Sequence, residues 1–121
     1  MSVPVTLDAL REQVAAFGSV AFLLTVTDDR RPHVVSVNIA WEHDNLVAGA
    51  GRTTATNAAR QPVVSLLWPS PARGSYGLIV DGTAAVQQRG DQTVLTIAPD
   101  RAVLHRLASA EHDGPSCITV L

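Results

Sequence analysis

The run Gly51-Arg52-Thr53-Thr54-Ala55-Thr56-Asn57-Ala58-Ala59-Arg60-Gln61-Pro62 carries the strongest chemical pattern in the chain. It falls where a strand gives way to a short helix, so unpaired backbone N–H groups point outward there. The Arg52 guanidinium and the Thr53 and Thr54 hydroxyls could join those amides around a phosphate. The same residues also fit a plain helix start, with Thr53 or Thr54 as the cap and Arg52 in water. Spacing alone leaves the two readings level.

Other patterns carry less. Gly49-Ala50-Gly51 lacks the third glycine of a dinucleotide loop and does not stand in a strand-helix-strand unit. There is no G-x-S-x-G elbow for a serine nucleophile. His33, His43, His105 and His112 are scattered without metal-ligand spacing, and no metal site is expected. The Asp28-Asp29 pair reads as a turn former. Cys117 reads as a small packed residue, and a single cysteine allows neither an intrachain disulfide nor a zinc-thiolate cluster. All nine basic residues are arginine, which excludes a Schiff-base lysine and the lysine of a P-loop.

The elements that must position the Gly51–Pro62 run belong to a single domain spanning residues 1–121. Apolar residues make up 46% of the chain and charged ones 17%, below the usual share of about 25%. That balance implies a folded chain with more apolar surface than one small subunit hides, hence a two-fold dimer. The net charge of −2 argues against nucleic acid as a partner. No apolar stretch approaches the roughly 20 residues of a membrane helix. The start, Met1 to Asp8, lacks the pattern of a signal peptide, so a cytoplasmic location is expected.

Thr6 as N-cap, Asp8 in the first turn and Leu7, Leu10, Val14 and Phe17 at helical spacing predict a first helix that Gly18 ends. The period then becomes two. Strands are predicted over 20–26, 33–41, 46–50, 63–68, 76–87 and 93–97, with a short helix over 53–60. In the second of these strands Val35, Val37, Ile39 and Trp41 form a bulky face, and Val34, Ser36, Asn38 and Ala40 a small one. Asp81-Gly82 marks a bulge or corner, and Arg89-Gly90-Asp91 a hairpin turn. Residues 99–107 read as a short helix or an edge strand, and 111–116 as loop. Six or so antiparallel strands with bends and two short helices favour a small barrel over a sandwich.

In order along the chain stand Arg31-Pro32-His33-Val34-Val35-Ser36-Val37, Leu46-Val47-Ala48, the Arg52–Asn57 turn, Gln61-Pro62-Val63-Val64-Ser65-Leu66-Leu67-Trp68 and Val80-Asp81-Gly82-Thr83-Ala84. Over roughly residues 18–97 this resembles the pyridoxamine 5′-phosphate oxidase-like family, which also includes deazaflavin-dependent reductases. The resemblance implies a mostly β fold: a six-stranded antiparallel split β-barrel of Greek-key type, dimeric, with cofactor sites at the subunit interface. It implies FMN as cofactor, with Ser36, Asn38, Ala48 and Gly49 bordering the ring and Arg52, Thr53, Thr54 and Asn57 holding the phosphate. No side chain is singled out as catalytic, since the flavin itself exchanges the hydride.

The chain also departs from the family. Thr53 and Thr54 stand where tight flavin binders carry basic residues. Tyr76, Gly77 and Ile79 replace the glutamine and arginine of the oxidases, and a substrate-binding C-terminal extension is absent. The expected activity is therefore a flavin-dependent oxidoreductase on a small molecule other than pyridoxamine phosphate. The alternatives are a non-catalytic split-barrel dimer that binds a small ligand and retains no flavin, or a deazaflavin-dependent reductase.

Overall fold

A computed structural model describes residues 2–107. The chain runs β1 (Ser2–Val5), α1 (Leu7–Phe17), β2 (Val20–Val26), β3 (Pro32–Glu42), β4 (Asn45–Gly49), α2 (Arg52–Arg60), β5 (Val63–Trp68), β6 (Gly77–Arg89) and β7 (Gln92–His105). All strand pairs are antiparallel. The sheet order is β1-β7-β4-β3-β2-β5-β6, and β6 also pairs with β7. That last pairing closes six strands into a barrel, with β1 added outside the ring.

Alternation decides what fills the barrel. Ala21 and Leu23 of β2, Val37 and Ile39 of β3, Leu46 and Ala48 of β4, and Val64, Leu66 and Trp68 of β5 all point inward. Leu78, Val80, Leu95 and Ile97 complete the core. Side chains occupy the interior of so small a barrel, so a ligand of any size must sit outside it. Trp68 is part of this core, with its Nε1–H donated to the Gly18 carbonyl at 2.9 Å.

α1 starts as its sequence predicts. Thr6 Oγ1 accepts from the Ala9 N–H at 3.3 Å, and Leu10 and Val14 are buried against the barrel. Gly18 ends the helix at φ +102°, where its N–H meets the Val14 carbonyl. Leu7, on the expected apolar stripe, remains half exposed at the first turn.

The expected bend at Asp81-Gly82 is a true bulge. Asp81 pairs with Arg101 but Gly82 with Pro99, which leaves Asp100 without an opposite residue. A Cβ on Gly82 would meet the Ala98 carbonyl oxygen and Ile97 Cγ2, both at 2.7 Å, so the two strands approach too closely for any other residue.

Two features differ from expectation. The strand predicted over 93–97 does not stop at Ile97 but continues as β7 to His105, so of the two readings of 99–107 the strand is the one observed. Pro99 is tolerated because it lies at the bulge, where the ladder is already interrupted. β1 was not predicted at all: four residues with a proline give little pattern, and pairing with residues 102–105 of β7 supplies the order. The predicted loop over 111–116, together with His112 and Cys117, lies outside the described residues.

Candidate functional site

The barrel is open on one side of β3. β4 pairs with β3 only from Ile39 to Glu42, whereas Pro32 to Asn38 pairs with β2 alone. Among the described residues no strand covers that other edge, so it presents free backbone N–H and C=O groups. β4 has turned toward β7 by Gly49, which pairs with Val94, and the chain then enters α2. The gap between the β3 edge, Gly49 and the α2 start is a cleft of about 330 Å³, at the small end of ligand sites.

The α2 start has no side-chain cap. Gly51 is the N-cap, and the first intrahelical bond runs from the Ala55 N–H to the Gly51 carbonyl at 2.9 Å. The N–H groups of Arg52, Thr53 and Thr54 therefore have no acceptor within the helix. This outcome removes the reading in which Thr53 or Thr54 serves as the cap.

Charge at this helix runs against its dipole. The first turn holds no acidic residue, and Arg52 adds a cation to the positive end. Arg60 in the last turn is placed favourably and pairs with Asp28 at 2.9 Å. Arg52 makes no ion pair among the described residues. A guanidinium beside uncapped amides at a helix start is a local conflict that an anion would relieve.

Ser36, Gly49, Arg52, Thr53 and Thr54 all line the cleft, so the fold brings together five of the eight expected site residues. Where a Cβ would stand on Gly49 or Gly51 there is open space. The other three lie elsewhere. Asn38 is exposed on β3 beyond the cleft lining, opposite Val20. Ala48 points into the core and is 1% exposed. Asn57 is buried beneath α2, its Nδ2 donating to Thr25 Oγ1 at 3.0 Å, so it holds the helix rather than facing the cleft.

The cleft is also lined by His33, Val35, Val37 and Gly51, which are not among the expected site residues. His33 borders the cleft, and its Nδ1 is shut away from solvent without a hydrogen-bond partner. It stands on β3 with the lining residues Val35, Ser36 and Val37, but on the face opposite to Ser36. A larger cleft of about 540 Å³ lies against the Pro69–Ser75 loop and the end of β7. Its lining includes Leu67, Ile79 and Leu107 but no uncapped helix start.

The outer face of β2 carries Val20, Phe22 and Val26, which are 59%, 40% and 36% exposed. Register sets Leu24 beside Val34, itself 53% exposed, and Phe22 between Ser36 and Leu67. This apolar stripe thus begins at the rim of the cleft, where Ser36 belongs to both. No helix among the described residues is long and apolar enough to cross a membrane.

No family model matches the chain. Uncharacterized proteins of Mycobacterium bovis and Mycobacterium tuberculosis are each 35% identical to it over 109 residues, covering 79% of this chain and 75% of the relative. Solved structures share the fold at low identity. A Clostridium acetobutylicum protein of the pyridoxinephosphate oxidase family, related to general stress protein 26, has a TM-score of 0.65 at 10% identity, covering 84% of this chain and 91% of its own. The heme storage protein HutZ of Vibrio cholerae has a TM-score of 0.64 at 14% identity, with 82% and 94% covered. An F420 reductase has a TM-score of 0.58 at 17% identity, with 69% and 87% covered. The chain belongs with the mycobacterial proteins in one family, built on the split β-barrel of the pyridoxamine 5′-phosphate oxidase-like proteins.

Proposed function

We propose that the chain is a flavin-binding protein of the oxidoreductase type, acting on a small molecule other than pyridoxamine phosphate, with FMN as the cofactor. The observation that carries this is the uncapped start of α2, with Arg52 beside it, facing the open edge of β3. The residues fit a phosphate attached to a flat polar ring. The Arg52, Thr53 and Thr54 amides and the Arg52 guanidinium suit the anion. The free N–H and C=O groups of the β3 edge suit a ring with donors and acceptors on its rim, and Ser36 and Gly49 leave it room.

A bound flavin supplies the hydride chemistry itself. The chain's part is to fix the phosphate, to orient the ring by backbone hydrogen bonds and to exclude water. A cleft of this volume in one subunit covers only part of such a molecule. The apolar stripe of Val20, Phe22 and Val34 supports a second copy of the chain as the remaining wall, because it adjoins the rim at Ser36. Apolar surface of this kind marks interaction sites.

The test is a fluorescence titration of the purified protein with FMN, with the deazaflavin coenzyme and with heme, followed by sedimentation. FMN quenching at micromolar protein with sedimentation as a dimer supports the reading. Binding of the deazaflavin alone moves the assignment to the reductases, the alternative that the F420 reductase fold keeps in view. Heme binding without flavin binding, or no binding at all, overturns it in favour of a non-catalytic module. Arg52→Ala is expected to weaken FMN binding by about 1.5–3 kcal/mol, the worth of a hydrogen bond to a charged group.

A further inference from the structure

We infer that the larger cleft, between the 69–75 loop and the end of β7, binds an iron porphyrin with His105 as the axial ligand of the iron. The inference goes beyond the flavin reading and does not depend on it, since the two clefts share no lining residue. At about 540 Å³ this cleft falls in the range of cofactor sites.

Register sets its floor. Leu67 and Ile79 stand opposite each other on β5 and β6, with Leu66 and Val80 turned into the barrel, so both face outward. The 69–75 loop forms one wall. Its Ser70 and Ser75 hydroxyls bond to each other and to the Ala72 carbonyl, so they are spent within the loop. Arg73 and Arg106 bring positive charge to the lining, and no carboxylate offsets it. A flat apolar body with acidic arms matches such a cleft.

His105 fixes the class of ligand. It pairs with Ser2 of β1 on one side and with Gly77 of β6 on the other. Its Nδ1 lies 3.3 Å from Ser2 Oγ, on the β1 side, and Gly77 leaves no side chain to fill the space on the cleft side. With the Nδ1 hydrogen donated to Ser2, the Nε2 lone pair is left for a metal, which is how ligand histidines are held. Among the described residues no three His, Cys, Asp or Glu side chains gather round a metal ion. A metal at His105 must therefore bring its other ligands with it, as iron does in a porphyrin.

The experiment titrates the full chain with hemin and with metal-free protoporphyrin IX, for wild type, His105→Ala and Ile79→Glu. His105 is exposed and Ile79 lies on the outer face, so neither replacement opens the core. Wild type is expected to take up one hemin per chain, with the Soret band shifted to its histidine-ligated position. His105→Ala is expected to lose that shift and to regain it with added imidazole, while metal-free protoporphyrin binds as it does to wild type. Ile79→Glu, which sets a carboxylate in the floor, is expected to lose both porphyrins. No Soret shift in wild type, a shift that survives His105→Ala, no rescue by imidazole, or hemin binding by Ile79→Glu at wild-type strength would each overturn the inference. So would displacement of hemin by FMN, which would mean one shared site. Each of these leaves the flavin reading standing, and a wild-type protein that ignores FMN leaves this inference standing.

Discussion

Asn57 Nδ2 donates to Thr25 Oγ1 at 3.0 Å, and both residues are buried. This bond joins the second turn of α2 to the C-terminal end of β2, across 32 residues of chain. It sets the direction in which the uncapped helix start points, because one end of a nine-residue helix is fixed by what holds the other. Asn57→Ala is expected to destabilise the protein by about 1–3 kcal/mol, since the Thr25 hydroxyl then lies buried without its donor. Replacing both partners, Thr25→Val with Asn57→Ala, is expected to cost clearly less than the sum of the two single losses. Denaturant unfolding of the two singles and the double checks this. Additive losses would show that the bond contributes nothing as a pair.

The same pair shows what the sequence does and does not reveal. Strand and helix assignments were legible because alternation and capping are local: Thr6, Gly18, the faces of 33–41 and the Asp81-Gly82 bulge all read correctly. The strand-to-helix transition at Gly51 was legible for the same reason. Which way a side chain turns once the barrel closes is not local. The family resemblance implies Asn57 as a phosphate contact, yet the helix turns it onto Thr25. Ala48 is next to Gly49, but alternation sends it inward. His33 enters the cleft only because β4 leaves β3 after Ile39, and no residue spacing announces that departure.

A second prediction concerns pH. Arg89 reaches from the β6–β7 hairpin to Glu42 at the β3–β4 hairpin, with two bonds of 2.6 and 2.8 Å. The hydrogen bond from Arg89 is the main cause holding the Glu42 carboxyl below its ordinary value of 4.5, with added attraction from the charges of Arg89 and His43 against some desolvation. A depressed carboxylate stabilises the fold above the unfolded-state value and loses that contribution as pH falls through the folded one. Wild type is therefore expected to melt above Glu42→Gln at pH 7. The gap is expected to narrow below about pH 4.5 and to shrink in high salt, because the pair is exposed. Thermal melts across pH 3–7 check this, a span that brackets the ordinary value of 4.5. A gap that stays constant through the acid range would mean that the ion pair is not its source.

The last prediction sets helix stability against binding at one residue. Gly51 caps α2 with φ −74° and ψ 176°, a conformation open to any residue, and a Cβ there meets nothing within 4 Å. Aspartate is among the best N-caps, because its carboxylate accepts from the free N–H groups of the first turn and favours the positive helix end. Gly51→Asp is thus expected to raise stability by a few tenths to about 1 kcal/mol. The same carboxylate would occupy the amides proposed for the phosphate and would pair with Arg52. FMN affinity is expected to fall by about tenfold or more, one unit of about 1.4 kcal/mol, while riboflavin is affected less. Thermal melts and paired FMN and riboflavin titrations on one preparation measure both effects. A helix start built to hold an anion gains stability and loses ligand when given an anion of its own. If Gly51→Asp gained stability and bound FMN undiminished, the phosphate could not be seated at the start of α2.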